Sequence, residues 1–188
     1  MTVGIREDLN EILATLEKEQ IPHMLVGGLA LEALGIVRFT RDIDIQVSIP
    51  ALPATMPTSF LGCLVDEVAL DPVFRQETLV LHIATSGIPI ELFRATHWFT
   101  VQALARRTMQ KSAVLGRSVP IPTPEDFILL KLAYSASPER GDRKSVQDAI
   151  DIESVVEAHR GRLDLDYLRE NAKKLGVGRE IESFVLSP

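Results

Sequence analysis

The chain has 188 residues, 46% hydrophobic and 24% charged, with a formal net charge of −6, which predicts one soluble globular domain or a compact domain with a small appendage. No apolar run is long enough to span a bilayer, and Met1 to Asn10 lack the charged-then-apolar order of a signal peptide, so no membrane association is expected. A single cysteine, Cys63, excludes an internal disulfide and predicts a cytoplasmic protein with an inert thiol among apolar neighbours.

Ile5 to Glu19 carries Ile5, Leu9, Ile12, Leu13 and Leu16 at helical spacing, and Pro22 is expected to end that helix. His23 to Val26 reads as a short buried strand running into Gly27-Gly28, and Leu29 to Leu34 as a helix stopped by Gly35. Arg41 to Val47 alternates as a strand does, with Asp42, Asp44 and Gln46 on one face and Ile43, Ile45 and Val47 on the other. A loop with Pro50, Pro53 and Pro57 follows, then an expected helix from Phe60 to Leu70. Thr78 to Thr85 and Ile88 to Phe93 predict a hairpin turning at Ser86-Gly87. Trp98 to Arg107 reads as helix, with Phe93, Trp98 and Phe99 expected in the core, and Met109 to Ile121 as extended chain turning at Leu115-Gly116. Arg94, Arg106, Arg107, Lys111 and Arg117 form a basic stretch that fits either an anion-binding surface or a solvated face.

From Thr123 the pattern becomes helical. Thr123-Pro124-Glu125-Asp126 combines a capping threonine, proline at the first helical position and acids near the positive helix end. Helices are expected to about Ala136, from Lys144 to about His159, and from Leu165 to Leu175 before Gly176, with a polar loop from Ser137 to Arg143. The expected class is an α+β core over residues 1–120 followed by a C-terminal helical region, 121–188, packed on it.

Three features carry chemistry. Gly27 and Gly28, between a strand and a helix, let backbone N–H groups approach a phosphate, or serve only a tight turn. Asp42 and Asp44 project from one strand face and suit one hard cation, or a polar solvent-facing edge. Glu91 is the single acid of Ile88 to Phe93, so it must face solvent, pair with a base such as Arg94, or join a metal site. Lys131, alone among apolar residues, fits a phosphate contact or a cation on an exposed stripe with its stem packed down. Arg38 and Arg41 flank the acid pair and could bind triphosphate or balance charge. Asp148 and Asp151 share a helix face, ordering Lys131 or Arg143 or standing solvated. His23, His82, His97 and His159 lack metal-ligand spacing, so no zinc site is expected.

His23-Met24-Leu25-Val26-Gly27-Gly28-Leu29-Ala30, then Arg38-Phe39-Thr40-Arg41-Asp42-Ile43-Asp44-Ile45, then Ile90-Glu91-Leu92-Phe93, resemble the nucleotidyltransferase superfamily shared with DNA polymerase β. Within it the chain is similar to the AbiEii toxin-like bacterial group. Thr123 to Asp126 leading to Leu130-Lys131-Leu132, and Asp148-Ala149-Ile150-Asp151-Ile152, resemble that group's C-terminal helices. The resemblance implies a nucleotidyltransferase-like mixed sheet with flanking helices. It implies Mg²⁺, in a two-metal site that Mn²⁺ could also fill, held by Asp42, Asp44 and Glu91. Glu91 would also help activate the acceptor hydroxyl. Gly27 and Gly28 would cradle the phosphates of an NTP, with Arg38, Arg41 and Lys131 as further phosphate contacts. Many superfamily members carry Gly-Ser at the phosphate turn; Gly28 offers only its backbone.

The implied reaction moves a nucleoside monophosphate from an NTP to an acceptor hydroxyl on tRNA, protein or a small molecule, and a cognate antitoxin is an implied partner. Two other readings remain open at this point. An Asp-x-Asp metal site also serves glycosyltransferases acting on nucleotide sugars, against which the early glycine turn and small size weigh. A degenerate interaction module of the same fold is the other, against which the three intact acids weigh.

Overall fold

The computed structural model describes residues 3–38, 40, 42–49, 59–60, 63–70, 77–82, 89–136 and 141–185. The first helix, α1 (Val3–Lys18), buries Leu9, Ile12, Leu13 and Leu16, the stripe that its sequence spacing dictates. It stops at Lys18, ahead of Pro22. Gln20 turns left-handed at φ 55°, and the Ile21 N–H closes on the Leu16 carbonyl.

The next elements are β1 (His23–Leu25), α2 (Gly27–Ala33), β2 (Ile43–Val47), β3 (Ser59–Phe60), β4 (Cys63–Leu70), β5 (Glu77–His82) and β6 (Pro89–Arg94). Their strands form a six-stranded sheet in the order β1-β2-β6-β5-β4-β3. β2 lies inside it, antiparallel to β1 and parallel to β6. An interior strand has no solvent-facing edge. Ile43, Ile45 and Val47 are buried on one side, and Gln46 is buried on the other with its amide donating to the Phe93 carbonyl at 3.0 Å.

The expected helix from Phe60 to Leu70 is instead β3 and β4. Leu64, Val65, Val68 and Ala69 are spaced as a helix would space them, but β5 supplies an antiparallel partner from Leu64 to Leu70. A register shift between Val65 and Glu67 breaks the two-residue alternation that would have marked the strand. β5 and β6 pair antiparallel as the hairpin expectation requires, with Ser86-Gly87 outside the described residues. So are Pro50, Pro53 and Pro57. The side-chain surroundings expected for Cys63 also lie outside what is described.

Then come α3 (Trp98–Arg106), β7 (Thr108–Ser112) and β8 (Arg117–Ile121), the last two paired as a separate ribbon. Glu32 of α2 holds the ribbon's turn, accepting from Ser112 Oγ at 2.6 Å and the Ala113 N–H at 2.8 Å. Of the aromatic residues expected inside, Phe99 is buried and Trp98 is exposed. α4 (Pro124–Ser135) starts where its capping pattern places it, with Thr123 Oγ1 accepting from the Asp126 N–H at 3.2 Å. α5 (Asp142–Ala158) and α6 (Leu165–Leu175) follow, the latter closed by Gly176 at φ 79°. A further helix, α7 (Gly178–Val185), goes beyond the sequence expectation.

Sheet and C-terminal helices share one core. Leu9, Leu25, Ile45, Ile90 and Leu92 pack in the same buried cluster as Phe127, Ile128, Ile152, Leu168 and Ile181. A second cluster joins Met24 of β1 and Phe99 of α3 to Leu130 and Ala133 of α4. A polar knot pins α3, α4 and α6 together. Buried Asp126 accepts from Arg106 Nε at 2.9 Å, from Thr123 Oγ1 at 3.0 Å and from the Tyr167 hydroxyl. Burial and that bond to Asp126 push the Tyr167 phenol up to about 12. No described helix is long and apolar enough to cross a membrane.

Candidate nucleotide and metal site

The glycine turn and the acid pair are built against each other. β1 ends at Leu25, and the Val26 N–H donates to the Asp44 carbonyl at 3.0 Å, fastening the turn to β2. Gly27 follows at φ 59°, and any Cβ there would overlap Asp44 Oδ2. Both its backbone angle and its missing side chain are therefore required. At Gly28 a Cβ would stand 2.6 Å from Thr40 Cβ and 3.0 Å from Thr40 Oγ1. The two glycines themselves begin α2, two residues before its expected start.

Thr40 in turn fixes Asp42. Its hydroxyl lies 2.6 Å from Asp42 Oδ1 and 3.2 Å from the Asp42 carbonyl. Asp42 is exposed and immediately precedes β2; Asp44 is the second residue of that strand and is partly buried.

Glu91 joins this pair through the sheet. On parallel strands β2 and β6, Asp44 and Glu91 are direct register partners, which sets both carboxylates on one face. The result is crowding of like charge. Burial, then Asp42, then Glu91 push the Asp44 carboxyl from 3.8 up to about 7, while Lys131 and Arg38 pull the other way. The fields of Asp42, Glu91, Lys131 and Arg38 therefore converge on Asp44.

Lys131 and Arg38 are held by the helical region. Lys131 Nζ lies 2.8 Å from Asp148 Oδ1 and 2.9 Å from Asp151 Oδ2. Arg38 Nε lies 3.3 Å from Asp151 Oδ1, which also accepts from Gln147 Nε2 at 3.0 Å. Asp148 and Asp151 are only 1% and 2% exposed, so the solvated reading of this pair does not hold. Lys131 is likewise no cation on an exposed stripe, since its side chain is 13% exposed. Two buried carboxylates need a cation between them, because an uncompensated buried charge is strongly destabilising. Arg41 lies outside the described residues.

Three residues of the basic stretch have partners within the protein. Arg106 is tied to Asp126, Arg117 to Glu17, and Arg94 Nε donates to the Ile49 carbonyl at 3.1 Å. Thr40 is the site residue that the sequence does not single out. A threonine two positions before an aspartate is a common local hydrogen-bonding pattern, but its packing on Gly28 exists only in the folded chain.

Among the described residues, no three His, Cys, Asp or Glu side chains stand together as a ready metal cage. Mg²⁺ does not demand one. It keeps several waters and takes one or two carboxylates together with substrate phosphates. The donor set fits that habit: Asp42 and Asp44 supply hard oxygens, and the charge crowding at Asp44 is what a divalent cation relieves.

The sequence matches no protein-family model and no curated protein. Among solved structures it is similar to an antigenic nucleotidyltransferase-like protein from Paracoccidioides brasiliensis. That likeness covers 99% of this chain and 94% of that one, at 19% identity and a TM-score of 0.53. It is also similar to ANT(2″)-Ia in complex with adenylyl-2″-tobramycin, over 93% of this chain and 98% of that one, at 15% identity and a TM-score of 0.56. At such identities the likeness is one of fold: the chain adopts the α+β nucleotidyltransferase-like fold.

Proposed function

We propose that this chain is a Mg²⁺-dependent nucleotidyltransferase that moves a nucleoside monophosphate from an NTP to an acceptor hydroxyl. The observation that carries the reading is the convergence of Asp42 and Glu91 on Asp44 beside a glycine turn with no room for a side chain. Residues 1–120 would form the catalytic core and 121–188 the helical region that supplies Lys131.

In this reading Asp42 and Asp44 would hold the metal, and Glu91 would contribute to a second metal position. Metal bound there would supply charge stabilisation to the entering and leaving oxygens of an in-line displacement. Gly27 and Gly28 present backbone N–H groups to phosphate oxygens, and Arg38, Arg41 and Lys131 balance the remaining negative charge. The acceptor oxygen attacks the α-phosphorus, Glu91 takes the hydroxyl proton, and pyrophosphate leaves. Positioning and electrostatics do most of such work.

The finer kinship, to the AbiEii toxin-like group, rests on the sequence resemblance. It favours tRNA as acceptor, a cognate antitoxin as partner and the cytoplasm as location. The net charge of −6 weighs against a broad RNA surface. The adenylyl-2″-tobramycin bound in the similar ANT(2″)-Ia structure favours a small-molecule acceptor.

The test is a thermal-shift series with each of the four common NTPs, with and without Mg²⁺, on the wild type and Asp42→Asn. A ligand that binds only the folded state raises the melting temperature. A Mg²⁺-dependent rise with at least one NTP, lost in Asp42→Asn, is the expected result. A rise with nucleotide sugars alone would move the chain to glycosyl transfer, and no response to either class would leave an interaction module.

A further inference from the structure

We propose that Thr40 is a positioning residue that couples the glycine turn to the metal-binding carboxylate of Asp42. This inference rests on the metal reading above and deepens it. Two independent observations meet at this one side chain.

The first is a hydrogen bond. Thr40 Oγ1 donates to Asp42 Oδ1 at 2.6 Å. Asp42 is exposed, and an exposed carboxylate with no such partner samples several rotamers and a broad range of its last torsion. The hydroxyl engages Oδ1 and restricts the rotation of the group, which favours Oδ2 as the oxygen offered to a cation. Groups that orient metal ligands in this way commonly change metal affinity by about 10- to 100-fold when removed.

The second is packing. The space a side chain would take at Gly28 is filled by Thr40, whose Cβ would lie 2.6 Å and Cγ2 3.0 Å from a Cβ built there. The methyl and hydroxyl of one threonine thus touch the phosphate turn and the metal ligand respectively. Packing on one side and a hydrogen bond on the other thus link the turn to Asp42 through a single side chain.

One consequence concerns the phosphate turn itself. A threonine hydroxyl has a single proton to donate, and here it goes to Asp42. The hydroxyl that a serine at the second turn position would offer to phosphate is therefore not replaced by Thr40. Phosphate recognition at Gly28 is left to the backbone.

The experiment titrates Mn²⁺ alone into metal-free wild type, Thr40→Val, Thr40→Ser and Asp44→Asn, following bound metal by electron paramagnetic resonance and recording each metal-free melting temperature. Thr40→Val keeps the branched shape against Gly28 and removes the hydroxyl; Thr40→Ser keeps the hydroxyl. The expected result is Mn²⁺ binding by the wild type, its loss in Asp44→Asn, binding about 10-fold or more weaker in Thr40→Val, and near-wild-type binding in Thr40→Ser. Wild-type affinity in Thr40→Val overturns the proposal while leaving the metal reading intact. Equal weakening in Val and Ser variants also overturns it, because packing and not the hydroxyl would then be responsible. If Thr40→Val melts far below the wild type, Thr40→Ala takes its place and is read against Thr40→Ser. Absence of Mn²⁺ binding by the wild type, both alone and with ATP present to supply phosphate ligands, would remove the metal reading itself, and this proposal with it.

Discussion

Asp44 and Glu91 stand side by side, in register, on the parallel strands β2 and β6. Together with Asp42, Glu91 raises the cost of ionising Asp44 beyond what burial alone imposes. Crowding of this kind is relieved when one of the carboxylates is made neutral. Asp44→Asn removes a charge from the crowd while keeping the side-chain shape. The metal-free variant is therefore expected to melt above the metal-free wild type at pH 8, and a gain of about 1 kcal/mol corresponds to about 2–4 °C at this chain length. The same variant should lose any Mg²⁺-dependent response to NTP. A lower metal-free melting temperature in Asp44→Asn would contradict the crowding argument.

Gly27→Ala is expected to fail for two reasons at once. The position sits at φ 59°, and the new methyl would overlap Asp44 Oδ2. Left-handed backbone costs a non-glycine residue about 1 kcal/mol or more, and Asp44 must also move. Gly35 provides the control, because it lies at φ 87° and a Cβ added there would meet nothing within 4 Å. Gly35→Ala should lose only the backbone contribution in urea denaturation and keep nucleotide binding, whereas Gly27→Ala should lose both. Retained Mg²⁺-dependent nucleotide binding in Gly27→Ala would break the link between the turn and the acid pair.

Lys131 sits between Asp148 and Asp151, and its removal takes away the cation that the two buried carboxylates share, leaving Arg38 at Asp151. Lys131→Met is expected to destabilise the fold by about 3–5 kcal/mol. Combining it with Asp148→Asn and Asp151→Asn should recover most of that loss, because both buried carboxylates leave with the cation, and Arg38, which loses Asp151, is partly exposed to water. If the triple variant regains stability but not NTP binding, Lys131 has a role at the triphosphate besides its structural one. Full recovery of binding would restrict Lys131 to holding α4 against α5.

Much of this architecture is legible in the sequence because local rules and tertiary packing agree there. Leu9, Ile12, Leu13 and Leu16 repeat with helical period and are buried. Thr123 caps α4 and Gly176 closes α6 in the way their residue types suggest. The strand β4 reads as helix because Asp66 interrupts its register with β5, and pairing with a distant strand outweighs local spacing. α7 escapes the pattern because it is short and follows Gly176 by a single residue. For the site, residue types at Asp42, Asp44 and Glu91 suggest chemistry, but the adjacency of Asp44 and Glu91 depends on a strand order that skips from β2 to β6. Thr40 is invisible for a related reason. Its importance lies in touching Gly28, twelve positions earlier in the chain.

His23 gives the fold a defined acid sensitivity away from the proposed chemistry. It lies at the start of β1, with Nδ1 2.8 Å from the Ile21 carbonyl, so Nδ1 carries the donated proton. Among the described residues its buried Nε2 meets no hydrogen-bond partner. Burial lowers its pKa below the ordinary 6.5; the Ile21 bond and Glu17 oppose that shift, and Arg107 and Arg117 add to it. A second proton on the ring would bring a charge and an unsatisfied donor into a buried position. The unfolded chain thus binds a proton more readily than the folded one, so stability is complete above pH 6.5 and falls as pH drops through that value toward the folded pKa. His159, also lowered, contributes to the same slope, so the informative quantity is the difference between wild type and His23→Gln. Urea midpoints measured from about pH 8 to about pH 5 should fall more steeply in the wild type than in His23→Gln. Parallel slopes would show that His23 takes up its proton in the folded state without penalty.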